Sequence, residues 1–499
     1  MEAGELKRGV ITHTAGAERG GAVGAGLAGA WPRAVPAFAL FALSVIFITL
    51  PLFFERLHSD EVIYWDVARN IAAGAGVTSE TLGGVFFWHA PLPFFIVAPF
   101  LKLSEHIFLA RALSSLFTAG CAVLVFLIAE RKASRAEAAL SAVLFVFSFQ
   151  ALRYGGRFYL DQYGAFFFLL ALYLLGAGRV FAAGVSAVLM CAAREYWLGV
   201  YPFMLLYAAL DKRRGSASAF AAPMVVTALA LAAALAAYGA LPRAWAFASG
   251  GAIARNVYAS LTAHTAGGLL SSLARGWTEF AALNAVVIAG FIAWTITTGP
   301  RRYLLLALPQ VLLISLVHGF IVDGGATQYP LALVAALAPF SGPGLARLWG
   351  RLPLRGLTGR RFVPAAIAVV AVQYAALNVL ATTVSLHQNS GVYGLGYGPD
   401  REVIGKLRRE ARGDFIHGIH GAFVPDRSRW DWTDYYFADA IEKDPDWLVA
   451  YSNYLEVLPH DRWKGRAEVE VIGPYTVVHS LERGGVARAV AAAGPKGDG

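Results

Sequence analysis

Cysteine and charge are both scarce in this chain. The two cysteines among 499 residues, Cys121 and Cys191, stand in apolar runs, which excludes a disulfide framework and a cysteine-based metal site. Charged residues make up 15% of the chain, against about 25% in an ordinary globular domain. Hydrophobic residues reach 57%. This balance excludes a purely soluble protein and indicates a membrane protein.

The net charge of +9 is unevenly distributed. Residues 1–384 carry 28 basic and 16 acidic side chains, whereas residues 385–499 carry 14 and 17. The basic excess therefore belongs to the apolar part, where Lys and Arg near span ends mark cytoplasmic loops. It indicates membrane orientation and not nucleic-acid binding. The phosphate-cradling glycine loop of nucleotide-sugar enzymes is not apparent in the sequence either.

Long apolar runs predict the membrane crossings, because a helix needs about 20 residues to cross the bilayer core. We predict a polytopic α-helical membrane protein with about eleven transmembrane helices. The predicted spans are 35–54, 107–129, 136–151, 161–177, 180–193, 196–210, 219–239, 280–298, 303–320, 328–346 and 362–384.

The distribution of basic residues predicts the orientation of these spans. A cytoplasmic tail, residues 1–34, precedes the membrane domain 35–384 in the plasma membrane, and residues 385–499 form an extracytoplasmic domain. Spans 180–193 and 196–210 are short, so a single broken helix is the alternative. That alternative would invert everything after it, against the count of basic residues.

The first outer loop, residues 55–106, is far longer than the others, and long loops in compact domains usually carry function. Apolar positions between Glu61 and Ala73 recur at helical spacing, which predicts an amphipathic helix that lies on the membrane. One carboxylate near its start has a structural explanation as a helix cap. The adjacent pair Asp60 and Glu61, directly after a span and beside His58, also suits a base for a hydroxyl nucleophile.

Several short motifs follow one another in this region. They are Asp60-Glu61-Val62-Ile63-Tyr64, Ala68-Arg69-Asn70, His89-Ala90-Pro91-Leu92 and Ala110-Arg111. Their order resembles the GT-C superfamily of polytopic glycosyltransferases, nearest to the branch of protein O-mannosyltransferases and lipid A aminoarabinose transferases. The resemblance implies a GT-C-like fold, a polyprenyl-phosphate-linked sugar as donor, and Asp60 as the catalytic base. Ala90 departs from the family's His-Pro-Pro-Leu.

A second match follows the third predicted span, in the segment from Arg153 through Arg157 to Asp161. It is similar to the family's short outer loop, in which basic residues precede an Asp that starts the next span. Asp161 is then expected in the same outer cavity as Asp60, where it joins Glu61 in binding the acceptor or holding a divalent cation. An Arg157–Asp161 pair one helical turn apart at the interface is the structural alternative.

The donor phosphate needs positive charge at the outer face, and Arg suits phosphate because its planar fork donates two parallel hydrogen bonds. Arg194, in a short outer turn, is the main candidate, with Arg157 and Arg153 as further phosphate ligands. An interfacial anchor within an aromatic belt is the alternative for Arg194. We expect the substrate cavity to be lined by His58, Tyr64, His89, Pro91, Glu195, Asp323 and Tyr329.

The tail contains turn signals and two strand patterns, 468–472 and 475–479, which predict a small α/β or α+β domain. The whole sequence predicts a transferase that moves a sugar from a lipid-linked donor to an acceptor hydroxyl of a protein, lipid or glycan. Membrane lipid is the expected partner, no cofactor is certain, and a divalent cation stays an option. A transporter or lipid flippase is the rival, but it needs internal repeats and ionisable groups at mid-depth.

Overall fold

A computed structural model provides the three-dimensional structure. It describes residues 31–49, 59–79, 84–85, 89–103, 107–210, 216–237, 266–298, 304–320 and 329–351, and parts of the tail, namely 402–403, 406–407, 409–411, 416–419, 430–433, 446–451, 467–472 and 475–481. The predicted span 362–384 lies outside these residues.

The described part of the membrane domain is helical. Its helices are α1 (Trp31–Thr49), α2 (Ser59–Ala72), α3 (Leu92–Leu101), α4 (Ile107–Glu130), α5 (Arg135–Val146), α6 (Phe149–Tyr154), α7 (Asp161–Gly176), α8 (Val180–Ala193), α9 (Tyr201–Ala209), α10 (Ser216–Ala237), α11 (Ala266–Leu283), α12 (Ala285–Thr298), α13 (Leu304–Phe320) and α14 (Leu331–Arg351). A two-strand ladder, β1 (Thr78–Ser79) and β2 (Gly84–Val85), follows α2. A 3₁₀ turn, Glu195–Gly199, joins α8 to α9.

Three of these helices, α4, α10 and α14, are by length and composition apolar enough to cross a bilayer alone. The pair α11 and α12 is a fourth candidate, bent by 85° at the break between them. Helices α3, α7 and α8 and residues 304–315 of α13 are shorter apolar helices. The polytopic helical fold is confirmed, while the count of eleven spans stays a prediction.

Helix α4 lies at the centre of the bundle and packs against α1, α5 and α7. Helices α12 and α14 cross so closely that their backbones touch. A Cβ on Gly290 would lie 2.8 Å from the Cα of Ser341, and one on Gly344 would lie 2.8 Å from the backbone nitrogen of Trp294. Small residues allow such close helix crossings in membrane domains.

Two predicted elements differ in the structure. The helix expected at the start of the first outer loop exists as α2, but it does not lie on a surface: Glu61 and Asp66 are fully buried, and so is most of the segment between them. The span predicted at 136–151 is interrupted, because α5 ends at Val146 and the short helix α6 begins at Phe149.

The described residues of the tail form a mixed sheet of five strands. Its strands are β3 (Ile416–Ile419), β4 (Trp430–Thr433), β5 (Trp447–Tyr451), β6 (Ala467–Ile472) and β7 (Tyr475–Ser480), in the order β4-β3-β5-β7-β6. Strand β3 pairs in parallel with β4 and β5, and β7 pairs antiparallel with β5 and β6. The two predicted strand patterns correspond to β6 and β7. The buried side chains of Leu407, Trp447 and Val477 belong to one small core.

Candidate functional site

Arg194 is the residue around which the candidate site is built. It ends α8 in an extended conformation, with φ −155°, so the chain turns sharply into the 3₁₀ turn. Its side chain is buried, and Nη1 donates a hydrogen bond of 3.2 Å to the hydroxyl of Tyr64 on α2. Its Nε lies 3.9 Å from Oδ1 of Asp161 and 3.9 Å from Oε1 of Glu195. One guanidinium therefore faces residues from α2, α7 and the 3₁₀ turn Glu195–Gly199, which is the predicted outer turn.

Two tyrosine rings flank this guanidinium. The Cζ of Arg194 lies 5.9 Å from the ring centroid of Tyr196 and 5.6 Å from that of Tyr329, within the range of cation–π attraction. The hydroxyl of Tyr196 also donates a hydrogen bond of 2.9 Å to Oδ1 of Asp161. Tyr196 thus connects the cation to the carboxylate at the start of α7.

The polar atoms of this pair are incompletely satisfied. Within the described residues, Nε of Arg194 and Oδ2 of Asp161 are both buried without a hydrogen-bond partner. A buried donor or acceptor that lacks a hydrogen bond costs about 1–3 kcal/mol of stability. Such a site gains free energy when a polar group of a ligand, or water, completes its hydrogen bonds.

Glu195 connects the predicted outer turn to the segment before α3. Nδ1 of His89 lies 2.8 Å from Oε1 of Glu195, and the backbone N–H of Ala90 donates to Oε2 at 3.2 Å. Burial alone would raise the pKa of Glu195, but the hydrogen bond with His89 and the charge of Arg194 outweigh it and lower the pKa to about 2. Burial and the neighbouring Arg194 lower the pKa of His89 below 6.5. At neutral pH a neutral His89 therefore donates its Nδ1 proton to the ionised Glu195.

Glu61 makes a buried ion pair with Arg111 of α4. The guanidinium donates from Nε to Oε1 at 2.9 Å and from Nη2 to Oε2 at 2.7 Å, and both side chains are 0% exposed. The backbone N–H of Phe158 donates to the same Oε1 at 2.9 Å. A carboxylate held in this way fixes α2 against α4 and the loop before α7. Its geometry favours positioning over proton transfer.

Comparisons with known proteins identify this architecture. No family model and no curated protein sequence matches the chain. Similar solved structures include ArnT from Cupriavidus metallidurans bound to undecaprenyl phosphate, with a TM-score of 0.55 and 13% identity over 91% of this chain and 98% of that chain. Another is the archaeal oligosaccharyltransferase AglB from Archaeoglobus fulgidus in complex with an inhibitory peptide and a dolichol-phosphate. Its TM-score is 0.52, with 12% identity over 90% of this chain and 75% of that chain. The chain has the GT-C fold.

The GT-C fold brings together many of the residues that the sequence predicted. Tyr64, Asp161, Arg194 and Tyr329 meet at one place, and the contact between Glu195 and His89 adjoins them. The contacts of Arg194 with Tyr64 and Tyr329, and that of Glu195 with His89, join positions more than a hundred residues apart in the chain. The structure therefore brings six of the predicted site residues together.

The other predicted residues have different positions. Arg157 is buried with its Cζ 5.8 Å from the ring of Tyr154, and Arg153 lies in the last turn of α6. Pro91 is exposed and precedes α3. The backbone of Asp60 lies in the first turn of α2, but its side chain is outside the described part, and His58 and Asp323 also lie outside the described residues.

Some residues at this place were not singled out from sequence. From its sequence position Tyr196 was expected only in an interfacial aromatic belt. The three-dimensional structure shows its hydrogen bond to Asp161. Arg111 was matched to a motif without a role, and the structure pairs it with Glu61. Among the described residues, no three His, Cys, Asp or Glu side chains cluster as metal ligands. The divalent cation therefore stays an open option.

Proposed function

We propose that the protein is a membrane glycosyltransferase that moves a sugar from a polyprenyl-phosphate-linked donor to an acceptor hydroxyl at the extracytoplasmic face. The buried Arg194 beside Asp161 carries this proposal. The fold supports it, because the similar ArnT was solved with undecaprenyl phosphate and the similar AglB with a dolichol-phosphate. The acceptor class stays open among proteins, lipids and glycans.

In this proposal the donor phosphate binds at Arg194. A buried guanidinium is a strong phosphate ligand because charge-assisted hydrogen bonds are roughly twice as strong as neutral ones. Nη1 is occupied by Tyr64, whereas Nε has no hydrogen bond to the described residues. The rings of Tyr196 and Tyr329 hold the guanidinium in place while it binds the phosphate.

Asp60 is proposed as the base. It lies in the first turn of α2, and position 60 is one helical turn before Tyr64, whose hydroxyl contacts Arg194. The acceptor hydroxyl gives its proton to the Asp60 carboxylate, and its oxygen forms a bond to the anomeric carbon. The bond from that carbon to the phosphate oxygen breaks, and the phosphate leaves with the electron pair at Arg194. A single displacement of this kind inverts the anomeric carbon.

The remaining carboxylates have supporting roles in the proposal. Glu61 positions α2, and therefore Asp60, through its bonds to Arg111 and to the backbone of Phe158. Asp161 orients Arg194 and Tyr196 and binds the acceptor hydroxyl or a cation through its second oxygen. The N-terminal tail is cytoplasmic and the sheet domain extracytoplasmic.

The test is sugar transfer by the purified protein in lipid nanodiscs. Labelled undecaprenyl-phosphate mannose and undecaprenyl-phosphate aminoarabinose serve as donors, and an extract of the cells that make the protein supplies acceptors. We expect Arg194→Gln and Asp60→Asn to lower transfer about a hundredfold or more. Arg135→Gln, a charge change at the surface-exposed pair with Glu130, is the matched control and keeps wild-type transfer. Wild-type rates in Asp60→Asn would contradict the assignment of the base.

A further inference from the structure

Gly164 lies in the first turn of α7, one turn after Asp161, where the outer turn packs against the helix. A Cβ at this position would overlap Nε1 of Trp197 and lie 2.7 Å from Cδ1 and 2.9 Å from Cε2 of the same ring. Real Cβ atoms do not approach other heavy atoms so closely. The indole ring therefore occupies the space that any other residue at position 164 would fill.

Trp197 has no room to move away from such a side chain. It is fully buried, and its ring is stacked on Phe168 at 5.2 Å and on Tyr196 at 5.5 Å between centroids. The ring is rigid and large, and close-packed interiors respond to added volume with shifts of the backbone. An added methyl group at position 164 would displace the turn that carries Trp197.

That turn holds Arg194. The backbone N–H of Trp197 donates to the carbonyl of Arg194 at 3.2 Å, so the two residues move together. The first turn of α7 thus contacts the outer turn at two points: Asp161 accepts from Tyr196, and Gly164 receives the indole of Trp197. Both contacts fix the position of the guanidinium relative to Asp161.

We propose that Gly164 is a positioning residue for the phosphate site: its missing side chain allows Trp197 to dock on α7 and so sets Arg194 against Asp161. This inference rests on the proposed function, because it takes Arg194 as the phosphate ligand. Gly164 contacts no substrate in this account. It acts through Trp197 and the turn hydrogen bond.

The experiment compares the binding of two lipids to the full-length protein in nanodiscs, undecaprenyl phosphate and uncharged undecaprenol. We expect Gly164→Ala to weaken the binding of undecaprenyl phosphate about tenfold to a hundredfold, the range for one lost charge-assisted hydrogen bond. Undecaprenol binding stays unchanged, which a general loss of folding would not allow. Gly199→Ala, in the same outer turn and facing open space, is the matched control and binds both lipids as the wild type does.

A second variant keeps the proposal testable if Gly164→Ala folds poorly. Replacing Trp197 by Val removes Cδ1, Nε1 and Cε2, the ring atoms that the new methyl group would meet, so the double variant Gly164→Ala/Trp197→Val should regain affinity for undecaprenyl phosphate. Wild-type affinity in Gly164→Ala, equal losses for both lipids, or no rescue in a folded double variant would overturn the role of Gly164. If the wild-type protein itself does not prefer undecaprenyl phosphate to undecaprenol, the phosphate site at Arg194 is wrong, which is a separate result.

Discussion

The buried ion pair between Glu61 and Arg111 gives the sharpest prediction about stability. In Glu61→Gln the amide keeps the shape of the side chain and an oxygen that accepts from the N–H of Phe158, but Arg111 loses its counter-charge in a site with 0% exposure. Breaking a buried pair by removing one partner costs about 3–5 kcal/mol, because the remaining charge stays buried without the carboxylate that it was paired with. We therefore expect a large drop in the apparent melting temperature.

The two buried cysteines, Cys121 and Cys191, provide the assay. A thiol-reactive fluorescent dye reports unfolding as they become exposed, and all variants are compared at one scan rate because membrane-protein unfolding is generally irreversible. Glu130→Gln is the matched control: its partner Arg135 is 54% exposed, and such pairs contribute about 0–1 kcal/mol.

A compensated variant separates charge from packing. Glu61→Gln combined with Arg111→Met removes both charges of this pair, so we expect it to melt above the Glu61→Gln single variant. If Glu61→Gln and Glu130→Gln have the same melting temperature, the Glu61–Arg111 pair does not stabilise the fold as described. If the double variant melts lower than the single variant, uncompensated charge is not the cause of the loss.

Three further predictions concern packing, pH and topology. Gly290→Ala should lower the melting temperature clearly, whereas Gly199→Ala should not, because Gly290 faces a neighbouring backbone and Gly199 faces open space. Equal melting temperatures would refute the close crossing. Acid should destabilise the protein in two steps. The stability contributed by neutral His89 is complete above pH 6.5 and is lost as the pH falls below that value. The stability contributed by ionised Glu195 is complete above pH 4.5 and is lost towards pH 2. In Glu195→Gln the lower step should disappear from the pH profile of melting. A cysteine at position 213 should react with a membrane-impermeant thiol reagent only in inverted vesicles; labelling of intact cells would invert the predicted topology after that point.

Local patterns predicted the elements whose structure depends on their own sequence. The apolar runs 107–129 and 180–193 match α4 and α8 almost to the residue, because backbone groups in lipid must bond within a helix. The alternating pattern of the tail likewise predicted β6 and β7. In both cases the hydrophobic period alone indicates the element.

Elements that depend on distant partners could not be predicted in this way. The apolar residues of α2 have the spacing of a surface helix. The helix is nevertheless buried, and Glu61 pairs there with Arg111, fifty residues later in the chain. The bond between His89 and Glu195 spans 106 residues, so no local signal reports it. Motif resemblance indicated that these regions converge, but it did not distinguish a base from a positioning carboxylate. No sequence pattern marked Gly164, since its proposed role depends on the ring of Trp197, which packs against it only in the folded protein.

The proposed function depends most on the binding of a polyprenyl-phosphate lipid by Arg194, through the phosphate of that lipid. Its most direct test is a cryo-electron microscopy structure of the protein in nanodiscs with undecaprenyl phosphate. We expect phosphate density within about 2.7–2.9 Å of a guanidinium nitrogen of Arg194, the distance of a charge-assisted hydrogen bond. Phosphate density away from Arg194, for example beside Arg131 or Arg179 in the predicted cytoplasmic loops, would contradict it.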